Sequence, residues 1–444
     1  MAGLKQLSLF APPGENNFYH GKDLGTFKDS MRSPVHRWFR YPAGYSYKFV
    51  HLSFELFGVR RGDWVYDPFS GTGTTLVCAK QDGINAYGVE AHSFVHWVAG
   101  VKLFWEFDRA TLRKQIEQYL KAAQAYLAVH QDTAQTDGVF PELVYKCYHP
   151  HDLNTLYLLR EFILQHEIDP SLRDLLRLAL TDTLRGSAAA GTGWPYISPR
   201  KNTGLQPPKN AWKVFYETVW RMVSDLYTID QAGPAEICNT LGDSRDPQPL
   251  AANSVALALT SPPYLNNYDY ADRTRLETYF WGITTSWGDI TQQFRRKLIT
   301  AATTQITRSE HRVDQALSQE INALAPQVYA TVQRAVLQLA ELRPHKGGKK
   351  DYDLMVALYF NDVLKVVQET YRVLRPGGHF CLVLGDSAPY GVHIATGKLI
   401  GEMGLGVGFK RFYVDSLRTR GEKWKANPQR HNVLLEESVI ILKK

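Results

Sequence analysis

GDWVYDPFSGTGTTLVCAKQDGINAYGVE, residues Gly62 to Glu90, changes periodicity twice within a short span. Trp64–Asp67 is an apolar run of strand length. Thr74–Gln81 takes up helical spacing, and Ala86–Glu90 returns to a short strand-like run. Strand, helix and strand in that order make a β-α-β unit with parallel strands. Between the first strand and the helix stands DPFSGTGTT. Gly71 and Gly73 allow a sharp turn and a close approach of backbone to ligand. The helix opening there offers free N–H groups to an anionic group. The spacing is not G-x-G-x-x-G, and no Gly-Lys-Ser/Thr follows to make a Walker loop. Glu90 ends the second strand, where an acid takes ribose hydroxyls through charge-assisted hydrogen bonds. The pattern predicts a site for a nucleoside-containing cofactor without a pyrophosphate.

Outward from this unit, residues 1–30 read as an irregular arm, and Tyr47–Val59 as an amphipathic helix. From Ser93 to about residue 232 the spacing is mostly helical, interrupted by a loop at 186–210. Strand signals return at AEICNTLGD (235–243) and at NSVALALTSPPY (253–264). A further helical block is expected from about 284 to 345. DLMVALYFNDVLKVVQETYRVLRPGG (353–378) predicts a helix ended by Pro-Gly-Gly, followed by the buried run HFCLVLGDS. FKRFYVDSL and ESVIILKK predict a terminal antiparallel hairpin around a basic loop. Strands separated by helices imply an α/β protein with a doubly wound Rossmann-like sheet, mostly parallel. The two helical blocks are too long for connections and read as large insertions. The expected division is 1–92 arm and cofactor part, 93–232 helical insertion, 233–283 catalytic part, 284–345 helical insertion, and 346–444 the remaining sheet.

With 444 residues the chain exceeds one ordinary core, and 44% hydrophobic content excludes a disordered chain. No apolar run reaches membrane-spanning length and the N-terminus lacks a signal-peptide core, so a cytoplasmic protein is expected. Cys78, Cys147, Cys238 and Cys381 are widely spaced and form no CxxC pair, so buried free thiols are expected and no metal site. Lys and Arg exceed Asp and Glu by 51 − 44 = 7, which permits a polyanionic partner without demanding one.

TSPPYLNNYDY (260–270) closes the run NSVALAL. Two prolines at a strand end stop the ladder and stiffen the backbone. Ser261 supplies a side-chain oxygen acceptor, and the Pro262 carbonyl a second one aimed by a rigid turn stiffened further by Pro263. Tyr264 adds an aromatic face.

Taken together, DPFSGTGTT resembles the S-adenosylmethionine motif of amino-methyltransferases acting on DNA, and TSPPY resembles their catalytic Ser/Asp/Asn-Pro-Pro-Tyr motif. RYPAGYSYKFV and GDSRD (242–246) are similar to two further segments of that family. The resemblance covers about 35–110 and 235–290, and more weakly 350–444. It implies S-adenosyl-L-methionine as cofactor. By the same resemblance Asp67, Pro68, Phe69, Ser70, Gly71, Gly73 and Thr74 line its methionine end, with Tyr41 and Pro42 closing it. Glu90 holds the ribose, and Asp243 with Ser244 lies near the adenine. Thr72 stands where Ser is common. Ser261, Pro262, Pro263 and Tyr264 are the implied catalytic set, acting on the exocyclic amine of an extruded base.

Ser at the first motif position is commoner in N4-cytosine enzymes of the resembled family, with N6-adenine the alternative. Cytosine C5 chemistry is disfavoured, because no cysteine here follows a proline. An RNA amino-methyltransferase is the runner-up; such relatives usually carry Asp before the prolines and an RNA-binding module, and 1–40 shows none. A non-catalytic derivative of the fold is disfavoured by two intact motifs. The implied partners are duplex DNA and, as companions, a cognate restriction endonuclease or other defence-system proteins. Arg200, Lys201 and Lys209, in a loop rich in aromatics, and Arg418, Arg420, Lys423, Lys425 and Arg430 in the tail are candidate DNA-backbone contacts.

Overall fold

The computed structural model describes residues 19, 24–41, 44–190, 207–230, 233–420 and 433–444. Helix α1 (Tyr47–Leu56) starts where the Ser46 side chain accepts the Lys48 amide. Then come strand β1 (Trp64–Asp67), α2 (Thr74–Asp82), β2 (Asn85–Glu90) and α3 (Ser93–Leu103). A helical block follows: α4 (Arg109–His130), α5 (Glu142–Tyr145), α6 (Pro150–Gln165), α7 (Pro170–Ser187) and α8 (Ala211–Thr228). β3 (Ile237–Leu241) and β4 (Val255–Thr260) return to the sheet, and α9 (Arg275–Phe280) and α10 (Trp287–Ile290) leave it. After α11 (Gln319–Leu324), α12 (Pro326–Leu342) and α13 (Tyr352–Val373), the chain ends in β5 (Leu374–Gly385), α14 (Thr396–Val407), β6 (Arg411–Arg420) and β7 (Leu435–Lys443).

The seven strands lie in the order β3-β2-β1-β4-β5-β7-β6. β1 runs parallel to β2 and β4, β3 parallel to β2, and β5 parallel to β4; β7 is antiparallel to both β5 and β6. This is the mostly parallel, doubly wound sheet with a terminal hairpin that the sequence pattern predicts. Side-chain alternation divides its two faces. Val65, Leu257, Leu259, Cys381 and Val383 pack towards α1 and α2. Tyr66, Ala258, Phe380, Leu382 and Leu384 pack on the other side with α12, α13 and α14. The helical block has its own core around Ile116, Leu156, Leu176, Phe215 and Phe280, which also takes in Val95 and Val98 of α3.

Two expectations are corrected. The segment 284–345 is not helical throughout: after α10 and a π turn at Thr291–Arg295 it holds only short 3-10 turns until α11. Its residues 300–318 are rich in Thr and Ser, which favour turns over helix interiors. Pro376-Gly377-Gly378 does not stop a helix so much as interrupt a strand. α13 ends at Val373, and Arg375–Gly378 bulge out where the β4–β5 register jumps from Val255↔Leu374 to Leu257↔His379. All four cysteines are free; Cys78, Cys147 and Cys381 are buried, whereas Cys238 on edge strand β3 is only half-buried. Among the described residues no helix is long and apolar enough to cross a membrane, and no group of three or more His, Cys, Asp or Glu is placed to hold a metal ion.

Candidate active site

Strand order reverses between β1 and β4, and in an open α/β sheet the crevice outside the carboxyl ends of the strands at such a reversal is where ligands bind. Both motifs leave the sheet there, DPFSGTGTT after β1 and SPPY after β4. Thr260, the last residue of β4, donates its hydroxyl to Asp67, the last of β1, at 2.7 Å. One buried carboxylate thus ties the two loops together. Asp67 also accepts from Tyr45 Oη (2.8 Å), Thr75 Oγ1 (2.6 Å) and the Phe69 amide (3.1 Å). Burial holds its carboxyl above the usual range, and the four donors pull it back only in part.

The glycine-rich loop follows. Gly71 (φ 54°) and Gly73 (φ 82°) both sit in the left-handed region. Gly73 is also the N-cap of α2, which has no side-chain cap, so N–H groups of its first turn remain for a ligand. The Gly71 amide donates to Glu90 Oε2 (2.9 Å) and the His92 amide to Glu90 Oε1 (2.8 Å). Each oxygen keeps a further lone pair for another donor. Burial pushes Glu90 up to about 7, against the pull of these amides.

These loops line a cleft that opens to solvent, with about 790 Å³ of empty space when that solvent is included. Tyr41, Pro68, Phe69, Ser70, Gly71, Thr74, Glu90, Asp243, Ser244, Ser261 and Pro263 all stand in its wall. Ser70 Oγ is buried and has no partner among the described residues, so the loop presents an unmatched hydroxyl. Asp243 is held by Arg245, whose guanidinium also reaches Asp362.

Other assignments are corrected or fall elsewhere. Asp67 lies beneath the wall rather than in it, its acceptor sites taken by protein donors. Gly73 is also outside the wall; it serves α2 and a close approach of Ala99, which a Cβ would meet at 3.3 Å. Pro262 is buried behind Ser261. Tyr264 is 8% exposed rather than an open platform. Its hydroxyl donates to Glu437 Oε1 (3.1 Å), and the Arg420 guanidinium lies over its ring, 5.5 Å from the centroid. Burial and the Glu437 carboxylate keep the phenol protonated.

Arg418 and Arg420 are accordingly not free cations on a basic tail. Arg418 Nε donates to Glu437 Oε2 (2.7 Å) and Arg420 Nη2 to Asn267 Oδ1 (3.0 Å), because the buried Glu437 needs counter-charge. Lys209 is exposed just ahead of α8. Pro42, Arg200, Lys201, Lys423, Lys425 and Arg430 lie outside the described residues.

The wall also contains residues to which the sequence reading gave no role: Tyr45, His92, Tyr270 and Lys297–Ile299. Tyr270 was legible in principle, since it closes the quoted TSPPYLNNYDY stretch; its hydroxyl accepts the Tyr264 amide (3.0 Å) and folds the loop back. His92 stacks on Phe294 with ring centroids 3.9 Å apart and bonds Thr274 Oγ1 through Nε2 (2.9 Å). Burial pushes its imidazole down to about 3, so it stays neutral.

A family model described as DNA methylase, of the N6/N4 type, matches residues 29–99, the span that holds Tyr41, the glycine-rich loop and Glu90. Over that span the chain is similar to the N6/N4 amino-methyltransferases. It is 23% identical over 463 residues to the Type II methyltransferase M.BsoBI of Geobacillus stearothermophilus, covering 95% of this chain and 88% of that protein. Against the Type II methyltransferase M.AvaI of Nostoc sp. the identity is 23% over 423 residues, covering 87% and 82%. A more local similarity, 35% over 85 residues, links it to the Type II methyltransferase M.MjaII of Methanocaldococcus jannaschii, 18% of this chain and 16% of that protein. The first two similarities run through both helical blocks as well as the motifs.

Proposed function

We propose that the protein transfers a methyl group from S-adenosylmethionine to the exocyclic N4 amine of cytosine in duplex DNA, with the base extruded from the helix, as the modification enzyme of a restriction-modification system. The observation that carries this reading is that Ser261 and the glycine-rich loop share one cavity at the sheet's reversal point.

The residues present fit the cofactor. Glu90 has a spare lone pair on each oxygen for ribose hydroxyls, Ser70 Oγ lacks a partner among the described residues, and the uncapped start of α2 faces the loop. When bound, the cofactor supplies a methyl sulfonium, an electrophile that needs no covalent enzyme intermediate. The protein's part is to orient the amine. Its lone pair is delocalised into the base, and two acceptors, Ser261 Oγ and the Pro262 carbonyl, draw both amine protons and localise it. Tyr264 offers its face to the base once the Arg420 guanidinium that lies over the ring moves aside. Positioning amine and methyl in line supplies much of the rate.

Incubating the protein with mixed-sequence duplex DNA and S-adenosylmethionine, then analysing nucleosides by mass spectrometry, tests the reading. N4-methylcytosine is the expected product. N6-methyladenine would keep the mechanism and overturn the base. Methylation confined to an RNA substrate would overturn DNA as the partner.

The carboxylate of Glu90 is the form that accepts ribose hydroxyls. With Glu90 raised to about 7 by burial, the carboxyl is largely protonated at pH 6 and ionised at pH 8. Cofactor affinity is therefore expected to rise roughly tenfold between those values, by proton linkage, and calorimetry across that range reads it directly. In Glu90→Gln the rise should vanish; an unchanged profile would remove Glu90 from the ribose. For folding the sign is opposite. A carboxyl raised in the folded state contributes stability below its ordinary range, and that contribution is lost as pH rises through about 7.

A further inference from the structure

We propose that Lys102 supplies the positive charge that holds the carboxylate end of the cofactor in this cavity, acting through the Thr72 hydroxyl. The proposal rests on the reading of the cavity as an S-adenosylmethionine site. Lys102 lies in the last turn of α3 and is fully buried. Its ammonium has one hydrogen bond, a long one to Thr72 Oγ1 at 3.5 Å, and faces the Phe27 ring at 6.0 Å. The titratable groups acting on it or feeling it are Cys78 from α2 and His36 from the arm before α1, and neither is a carboxylate. Burial raises the Cys78 thiol and lowers the His36 imidazole, so neither offers a negative charge. The other buried lysine among the described residues is treated differently. Lys80 on α2 donates to the Leu103 carbonyl (2.7 Å) and to Glu106 (2.5 Å). A buried ammonium without a counter-ion is costly, and burial accordingly drives Lys102 down to about 7.

The position suggests what offsets that cost. Thr72 is buried and forms part of the cavity wall. Phe27 packs on Gly44, also in the wall, so closely that a Cβ there would meet the ring at 3.0 Å. Lys102 thus stands behind the side where Gly44 and the glycine-rich loop meet. The charged wall residues are two acids, Glu90 and Asp243, and one lysine, Lys297, which is exposed. A ligand carrying a carboxylate needs positive charge, and on the side of Gly44 and the glycine-rich loop Lys102 stands one hydroxyl behind the wall. It is a positioning residue in this scheme.

The test is Lys102→Met, with calorimetry of S-adenosylhomocysteine and of its decarboxylated analogue, and thermal unfolding of the ligand-free protein. The expected result is at least a tenfold loss of affinity for S-adenosylhomocysteine, unchanged affinity for the decarboxylated analogue, and a higher Tm without ligand. A structural lysine would produce neither the split nor the rise. Thr72→Val, which leaves the lysine in place, should show part of the same selective loss and serves where Lys102→Met does not fold. Equal losses for both ligands, or no loss for either, overturn the role of Lys102 alone. Failure of the wild-type protein to bind either ligand overturns the cofactor reading and this inference with it.

Discussion

Ser261→Ala is expected to lower kcat by about 10²–10³-fold, the scale on which removing one preorganised hydrogen-bonding group at a reacting centre acts, while cofactor affinity stays at the wild-type value. Two acceptors match two amine protons in the proposed geometry. With Ala at 261 only the Pro262 carbonyl remains, one proton finds no acceptor, and the nitrogen lone pair stays in conjugation. The substitution also removes a side-chain hydrogen bond between Ser261 and the Tyr264 phenol, but leaves the backbone of the turn in place. Ser261 is only half-buried, and the chain on either side is fixed independently, by the Thr260 bond to Asp67 and by the Tyr264 amide bond to Tyr270. Single-turnover methyl transfer to unmodified genomic DNA, with calorimetry of S-adenosylhomocysteine on the same protein, separates the two effects. Wild-type turnover in this variant would take Ser261 out of the chemistry, and lost cofactor affinity would move it to the cofactor.

What could be read in the chain beforehand divides by range. β1, the glycine-rich turn and α2 were legible almost to the residue, because strand length, glycine placement and helical spacing are local. α2 runs one residue further than expected, to Asp82, and Gly83 (φ 71°) ends it in the left-handed conformation. The wall residues His92 and Lys297–Ile299 were not legible. They reach the cavity through the packing of Phe294 on His92, from segments some 200 residues apart, and of 295–305 against the catalytic loop, 26 residues apart at Arg295–Asp269 and 35 at Thr304–Asp269. Charge misled for the same reason. Arg418 and Arg420 look like solvated basic residues in sequence, and only the register β6–β7 shows Arg418 opposite Glu437, with Tyr264 reaching the same carboxylate. The Thr-rich stretch before α11 carried an apolar spacing compatible with helix, but its hydroxyls and carboxylates favour local turns.

Asp67 shows the same limit most sharply, and it sets the other large expected effect. A resemblance places this residue at the cofactor; the structure places it beneath, accepting from three buried hydroxyls and one amide. Asp67→Ala leaves Tyr45, Thr75 and Thr260 with donors turned into a void. Each unmatched buried donor costs about 1–3 kcal/mol. Tyr45 and Thr75 already contact each other and can re-pair, and removing a buried carboxylate recovers some desolvation, so the net loss of stability should be roughly 3–5 kcal/mol. Asp67→Asn keeps one oxygen and should lose less. Because Thr260 adjoins Ser261, the Ala variant should also lose turnover without Asp67 touching either substrate. Denaturant unfolding and cofactor calorimetry on both variants decide the matter. The structure requires stability to fall in step with binding; an Asp67→Ala protein that unfolds like wild type yet fails to bind S-adenosylhomocysteine would put the carboxylate back in the cavity wall.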